Sequence, residues 1–107
     1  MLLQGEYDYN EILYHNTIPS KYKNFYINYY LFKDKRIKFE LIRKPNINKS
    51  GYPICILDLK LNGGFDKNAV IKQIKSQDSI FSSKYKSIIY DFTNKMYKLY
   101  KRYTLAI

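Results

Sequence analysis

Asp58 and Lys60 stand two residues apart near the end of a strongly apolar run, Pro53-Ile-Cys-Ile-Leu-Asp-Leu-Lys-Leu61. In an extended strand residues i and i+2 share a face, so a carboxylate and an ammonium would project together there. That pairing suits metal-assisted cleavage of a phosphodiester. The carboxylate would hold Mg²⁺ beside the scissile phosphate while the lysine positions or activates the attacking water. The plain alternative is a pair of charges that reach solvent where the strand leaves the core.

Two other groups of residues suit binding rather than cutting. If Phe25, Ile27, Tyr29 and Leu31 face inward on a strand, then Tyr26, Asn28, Tyr30 and Phe32 face the other way, beside Lys38, Glu40 and Lys44. Tyrosine interleaved with lysine makes a stacking platform, with bases on the rings and phosphates on the ammonium groups. A covering helix or a partner subunit is the competing use of that face. Further on, Lys84, Lys95, Lys98 and Arg102 fall on one side of a helical pattern, with Lys86 and Lys101 at its margins and Asp91 the acid among them. They form a candidate phosphate-contacting face, against the reading of a merely solvated one. His15 and Cys55 are each the sole residue of their type, so neither a two-histidine site nor a Cys/His zinc site can be assembled. Asn62-Gly63-Gly64 reads as a turn, and Glu6, Asp8 and Glu11 as solvated acids rather than a metal grip.

The elements that must position these groups follow from patterning. Residues 24–33, dense in aromatic and β-branched types, and residues 36–44, alternating apolar and charged, read as strands. A three-residue hairpin loop at 34–36 would pair Leu31 with Phe39 and Tyr29 with Leu41, keeping one face apolar. Residues 53–61, apolar on both parities as far as Leu57, predict the central strand. Asp66 is a good N-cap for a helix over 66–80 carrying Val70, Ile71 and Ile74. A second helix over 84–103 buries Tyr85, Ile88, Ile89, Phe92, Met96, Leu99, Tyr100 and Tyr103, although Ser87–Thr93 would also serve as a strand. Residues 7–15 read as a short helix within an acidic segment over 1–20. The expectation is an α+β fold in a small single domain over 1–107, a three-stranded antiparallel sheet packed by C-terminal helices.

The order of strands and helix around Asp58-x-Lys60 resembles the PD-(D/E)xK nuclease superfamily over residues 30–80. The resemblance implies a further acid at the start of the preceding strand, Asp34 by order with Glu40 a second possibility, and Mg²⁺ as cofactor, held by Asp34 and Asp58 with Lys60 at the catalytic position; it asks for the strand at 87–93. No proline precedes Asp34, which departs from that superfamily's first motif. Outside this resemblance no cofactor is expected.

Composition sets the class of partner. The 107 residues carry a net charge of +10, with 46% hydrophobic residues and no tryptophan. That is enough apolar material to fold, in a chain too short for a second domain. Isoleucine, lysine, asparagine and tyrosine share AT-rich codons, so part of the lysine and tyrosine excess reflects the encoding genome, expected to be that of an AT-rich bacterium, its phage or plasmid, or an AT-rich archaeal virus. The remaining charge is uneven: residues 1–20 hold Glu6, Asp8 and Glu11 and neither lysine nor arginine, and the rest is basic. A single-sign field of this kind attracts polyanions. The leading expectation is therefore a small basic binding protein of the host cell interior, cytoplasmic and not membrane-bound. Its partner would be nucleic acid or a nucleoprotein complex, as in an inhibitor of a defence or replication machine. The alternatives are the Mg²⁺-dependent nuclease and a structural protein that pairs with itself as a homodimer.

Overall fold

A computed structural model describes residues 11–44, 50–77 and 86–105. Four strands, β1 (Ile12–Pro19), β2 (Phe25–Phe32), β3 (Arg36–Arg43) and β4 (Tyr52–Lys60), form an antiparallel sheet in the order β1-β2-β3-β4. Two helices follow, α1 (Lys67–Gln77) and α2 (Lys86–Leu105). The α+β class is as expected, with one strand more than the sequence suggested. No helix among the described residues is long and apolar enough to cross a membrane.

Alternation in the sequence decides which face is buried. Ile27, Ile37, Phe39, Leu41 and Leu57 are each 0% exposed and meet Phe92 and Met96, also 0% exposed, on one side of the sheet. Asp66 caps α1 as expected: its Oδ1 accepts from the Asn68 and Ala69 amides at 3.0 and 3.2 Å. Ser87–Thr93 is helical, so the alternative strand is not formed. The apolar stripe Ile88, Ile89, Phe92, Met96, Leu99 and Tyr100 is buried along one continuous helix, and the Thr93 hydroxyl donates to the Ile89 carbonyl at 2.8 Å.

Three expectations need correction. Residues 12–15 belong to strand β1 and not to a helix; residues 7–10 of that expected helix lie outside the described residues. The strand is exposed at most positions, so its own pattern carries no stripe, and pairing with β2 is what makes it extended. Residues 53–61 fall on β4, an edge strand rather than a central one. Ile56 on the face away from the helices is half-buried, and Ile54, at a register shift, packs against the core, which is why both parities are apolar. The hairpin loop has three residues, but they are 33–35, and Leu31 pairs with Ile37 and Tyr29 with Phe39. A shift of two keeps every side chain on its expected face. Lys35 takes the left-handed position of this loop with φ 63°, a place glycine usually fills, and its amide donates to the Phe32 carbonyl at 3.2 Å.

Candidate nucleic-acid interface

The apolar stripe of α2 fixes where its cations go. With Met96, Leu99 and Tyr100 pressed on the sheet, Lys95, Lys98 and Arg102 lie on the flank of the helix that faces β1. They form one wall of a cleft of about 330 Å³, opposed by Asn16 and Pro19 of β1 and floored by Tyr29 and Leu99. Lys95 is half-buried there and its Nζ donates to the Pro19 carbonyl at 3.3 Å, while Lys98 and Arg102 are exposed. Asp91, the sole acid of α2, is engaged by the Lys21 amide at 3.1 Å.

An aromatic cluster is built around Tyr29, which floors this cleft. The Tyr14, Tyr29 and Tyr103 rings lie 6.0 to 6.5 Å apart, all tilted against one another, and the Tyr29 and Tyr103 hydroxyls share a hydrogen bond of 3.2 Å. Burial raises the Tyr29 phenol above its ordinary pKa, and the bond to Tyr103 adds to that. The neighbouring Tyr29 pushes the Tyr14 phenol up as well, with the charge of Arg102 pulling against it. At the other side of α2, Lys67 and Lys101 sit over the Tyr97 ring at 4.5 and 5.4 Å from its centre.

The opposite face of the sheet is differently built. Arg36 bridges two carboxylates there, Nε to Asp34 at 2.7 Å and Nη1 to Asp58 at 2.6 Å, and Lys38 approaches Asp58 at 3.9 Å. The hydrogen bond to Asp34 leads in raising the Arg36 pKa, with Asp58 adding. Phe32 lies beneath, its ring centre 4.9 Å from Arg36 and 5.7 Å from Lys38. Asp34 and Asp58 are thus brought together, as the nuclease reading asks, but through a guanidinium that holds an oxygen of each. Lys60 is exposed at the end of the same strand, and Glu40 is buried further along β3. Among the described residues no group of three or more metal-ligating side chains converges.

The proposed stacking platform is largely engaged within the chain. A Cβ on Gly51 would run into the Tyr26 hydroxyl and lie 2.6 Å from the Ile42 side chain, so the backbone at Gly51 passes directly over Tyr26. Tyr30 stacks on His15, centres 5.2 Å apart and planes 12° from parallel. Lys44 follows β3, its amide donating to the Asn24 carbonyl at 2.8 Å. Lys84 lies outside the described residues. Tyr26, Tyr30 and Lys38 therefore occupy one face of the sheet, and Lys95, Lys98 and Arg102 the helix side.

Sequence reasoning missed Tyr14, Asn16 and Tyr103 as parts of a site. The signal was available in Ile12–Pro19, where Tyr14, Asn16 and Ile18 share the parity that pairs with Leu31, Tyr29 and Ile27. Comparison of the chain with protein-family models, curated proteins and solved structures returns no match.

Proposed function

We propose that this chain is a non-enzymatic binding protein that engages nucleic acid, or a host complex carrying it, through the flank of α2 that faces β1. The observation that carries the reading is the cleft itself: Lys95, Lys98 and Arg102 line one wall, and the acid of their helix is turned to the Lys21 amide. On the far side of the sheet, by contrast, Arg36 and Lys38 are offset by Asp34 and Asp58. Uncompensated cations with few acids among them favour a polyanion. A phage or mobile-element protein with such a surface would suit the nucleic-acid track of a defence or replication machine.

Fluorescence anisotropy of short labelled oligonucleotides across a salt series tests the reading. Three phosphate contacts predict that log K falls against log salt with a slope of about −2 for a single strand and slightly steeper for a duplex. A flat response would overturn it. Run with Mg²⁺ present, the same oligonucleotides should remain intact; cleavage that is lost in Asp58→Ala would return the protein to the nuclease reading.

A further inference from the structure

We infer that the cleft between β1 and α2 is shaped for a single strand of nucleic acid, with a base laid on Tyr14 and phosphates along Lys95, Lys98 and Arg102. The inference rests on the function proposed above and names its substrate class. Base readout from a duplex needs an element that projects into a groove, such as a helix entering a major groove about 12 Å wide. The solvent ridge of α2 instead carries Tyr90, Asn94 and Lys101, all exposed. Lys98 and Arg102, also exposed, and the half-buried Lys95 line the flank toward β1, where Lys95 reaches the Pro19 carbonyl at 3.3 Å. From Lys95 to Arg102 the helix rises about 10 Å, the length of roughly three nucleotides of a stacked strand.

Tyr14 supplies what a lone strand has to offer and a duplex hides, a base face. It is 46% exposed, and its ring centre lies 6.0 Å from that of Tyr29, which lines the cleft with Arg102. Its ring is tilted by 50° to Tyr29 and 42° to Tyr103, so neither neighbour lies flat on it. Tyr29 and Tyr103, whose hydroxyls are bonded to each other, lie 6.0 and 6.5 Å from its ring centre. Stacking of this kind tolerates any base, because every base has a π-face.

The test compares oligo-dT, oligo-rU and a duplex of the same length on the parent, Tyr14→Ala and Tyr14→Phe proteins, with thermal melts to confirm that each variant is folded. Either single strand should bind more tightly than the duplex. Tyr14→Ala should weaken single-strand binding about tenfold while leaving duplex binding unchanged, and Tyr14→Phe should retain parental affinity. The tighter of oligo-dT and oligo-rU then identifies the sugar. A duplex bound as tightly as the single strands, or a Tyr14→Ala variant that binds both as the parent does or loses both equally, overturns the inference and leaves the polyanion reading standing. Absence of binding to all three overturns both.

Discussion

Tyr29 carries two roles that pull on its phenol in the same direction. It is 2% exposed, and burial and the bond to Tyr103 both favour the protonated form, so its pKa in the folded chain lies above the ordinary 10.0. Stability from this group is complete below the unfolded pKa of about 10 and is lost as pH rises through the folded value, because only the unfolded chain gives up its proton readily in that window. Tyr29→Phe should therefore cost about 1 kcal/mol at neutral pH, for the lost hydroxyl bond. It should also flatten the alkaline fall in stability, as followed by denaturant unfolding on either side of that window. An alkaline fall equal to the parent's would show that Tyr29 is not its source. Glu40 makes a second case. It is 4% exposed on the sheet face away from the helices, flanked by Asn28 and Ile56, and among the described residues no hydrogen bond or ion pair engages its carboxylate. Removing a buried polar group without a partner should raise stability, and Glu40→Leu is expected to gain about 1–3 kcal/mol, read as a higher denaturant midpoint of unfolding. A loss instead would mean that the carboxylate is held. Side chains of this kind show what a sequence conceals: Lys95, Lys98 and Arg102 were legible as one helix flank, whereas the clamp of Arg36 on Asp34 and Asp58 depends on register.

The sheet ends in two strands whose outer edges are differently closed. At β4 the Gln77 side chain, from the last turn of α1, behaves as a strand: it accepts from the Ile56 amide at 2.9 Å and donates to the Ile56 carbonyl at 2.8 Å. At β1 the Thr17 amide is taken by the Asn16 side chain at 2.9 Å, Pro19 has no amide to offer, and its carbonyl is met by Lys95. Closed edges disfavour pairing with another sheet, which weighs against self-association through strands. Gln77→Ala should cost about 1–2 kcal/mol by leaving both Ile56 groups without protein partners. It should also promote concentration-dependent association in sedimentation, and a variant as monodisperse and as stable as the parent would show the contact to be idle. At this scale the sequence was informative where alternation was strict. Residues 25–32 and 36–43 are strands with the expected faces, because Ile37, Phe39 and Leu41 alternate cleanly with Arg36, Lys38 and Glu40. It was uninformative at β1, an exposed strand that owes its conformation to β2, and misleading at β4, where a half-buried outer face imitates a central strand.

Across the whole molecule the basic charge is divided by the sheet. Asp34, Glu40 and Asp58 sit with Arg36, Lys38 and Lys60 on one side, whereas α2 presents Lys86, Lys95, Lys98, Lys101 and Arg102 with Asp91 alone on the other. The net charge of the chain therefore understates how directional it is, and the helix side is where the proposed polyanion partner would be drawn. The two basic clusters that look alike in the sequence face opposite ways, so a ligand lying in the β1–α2 cleft does not reach the sheet face of Tyr30 and Lys38. The most direct test is the salt dependence of single-strand binding in the parent and in a Lys95→Ala, Lys98→Ala double variant. Loss of two phosphate contacts should reduce the magnitude of the slope of log K on log salt by about 1.4, with weaker binding at low salt. A double variant whose slope and affinity match the parent's would contradict the assignment of this flank as the nucleic-acid interface.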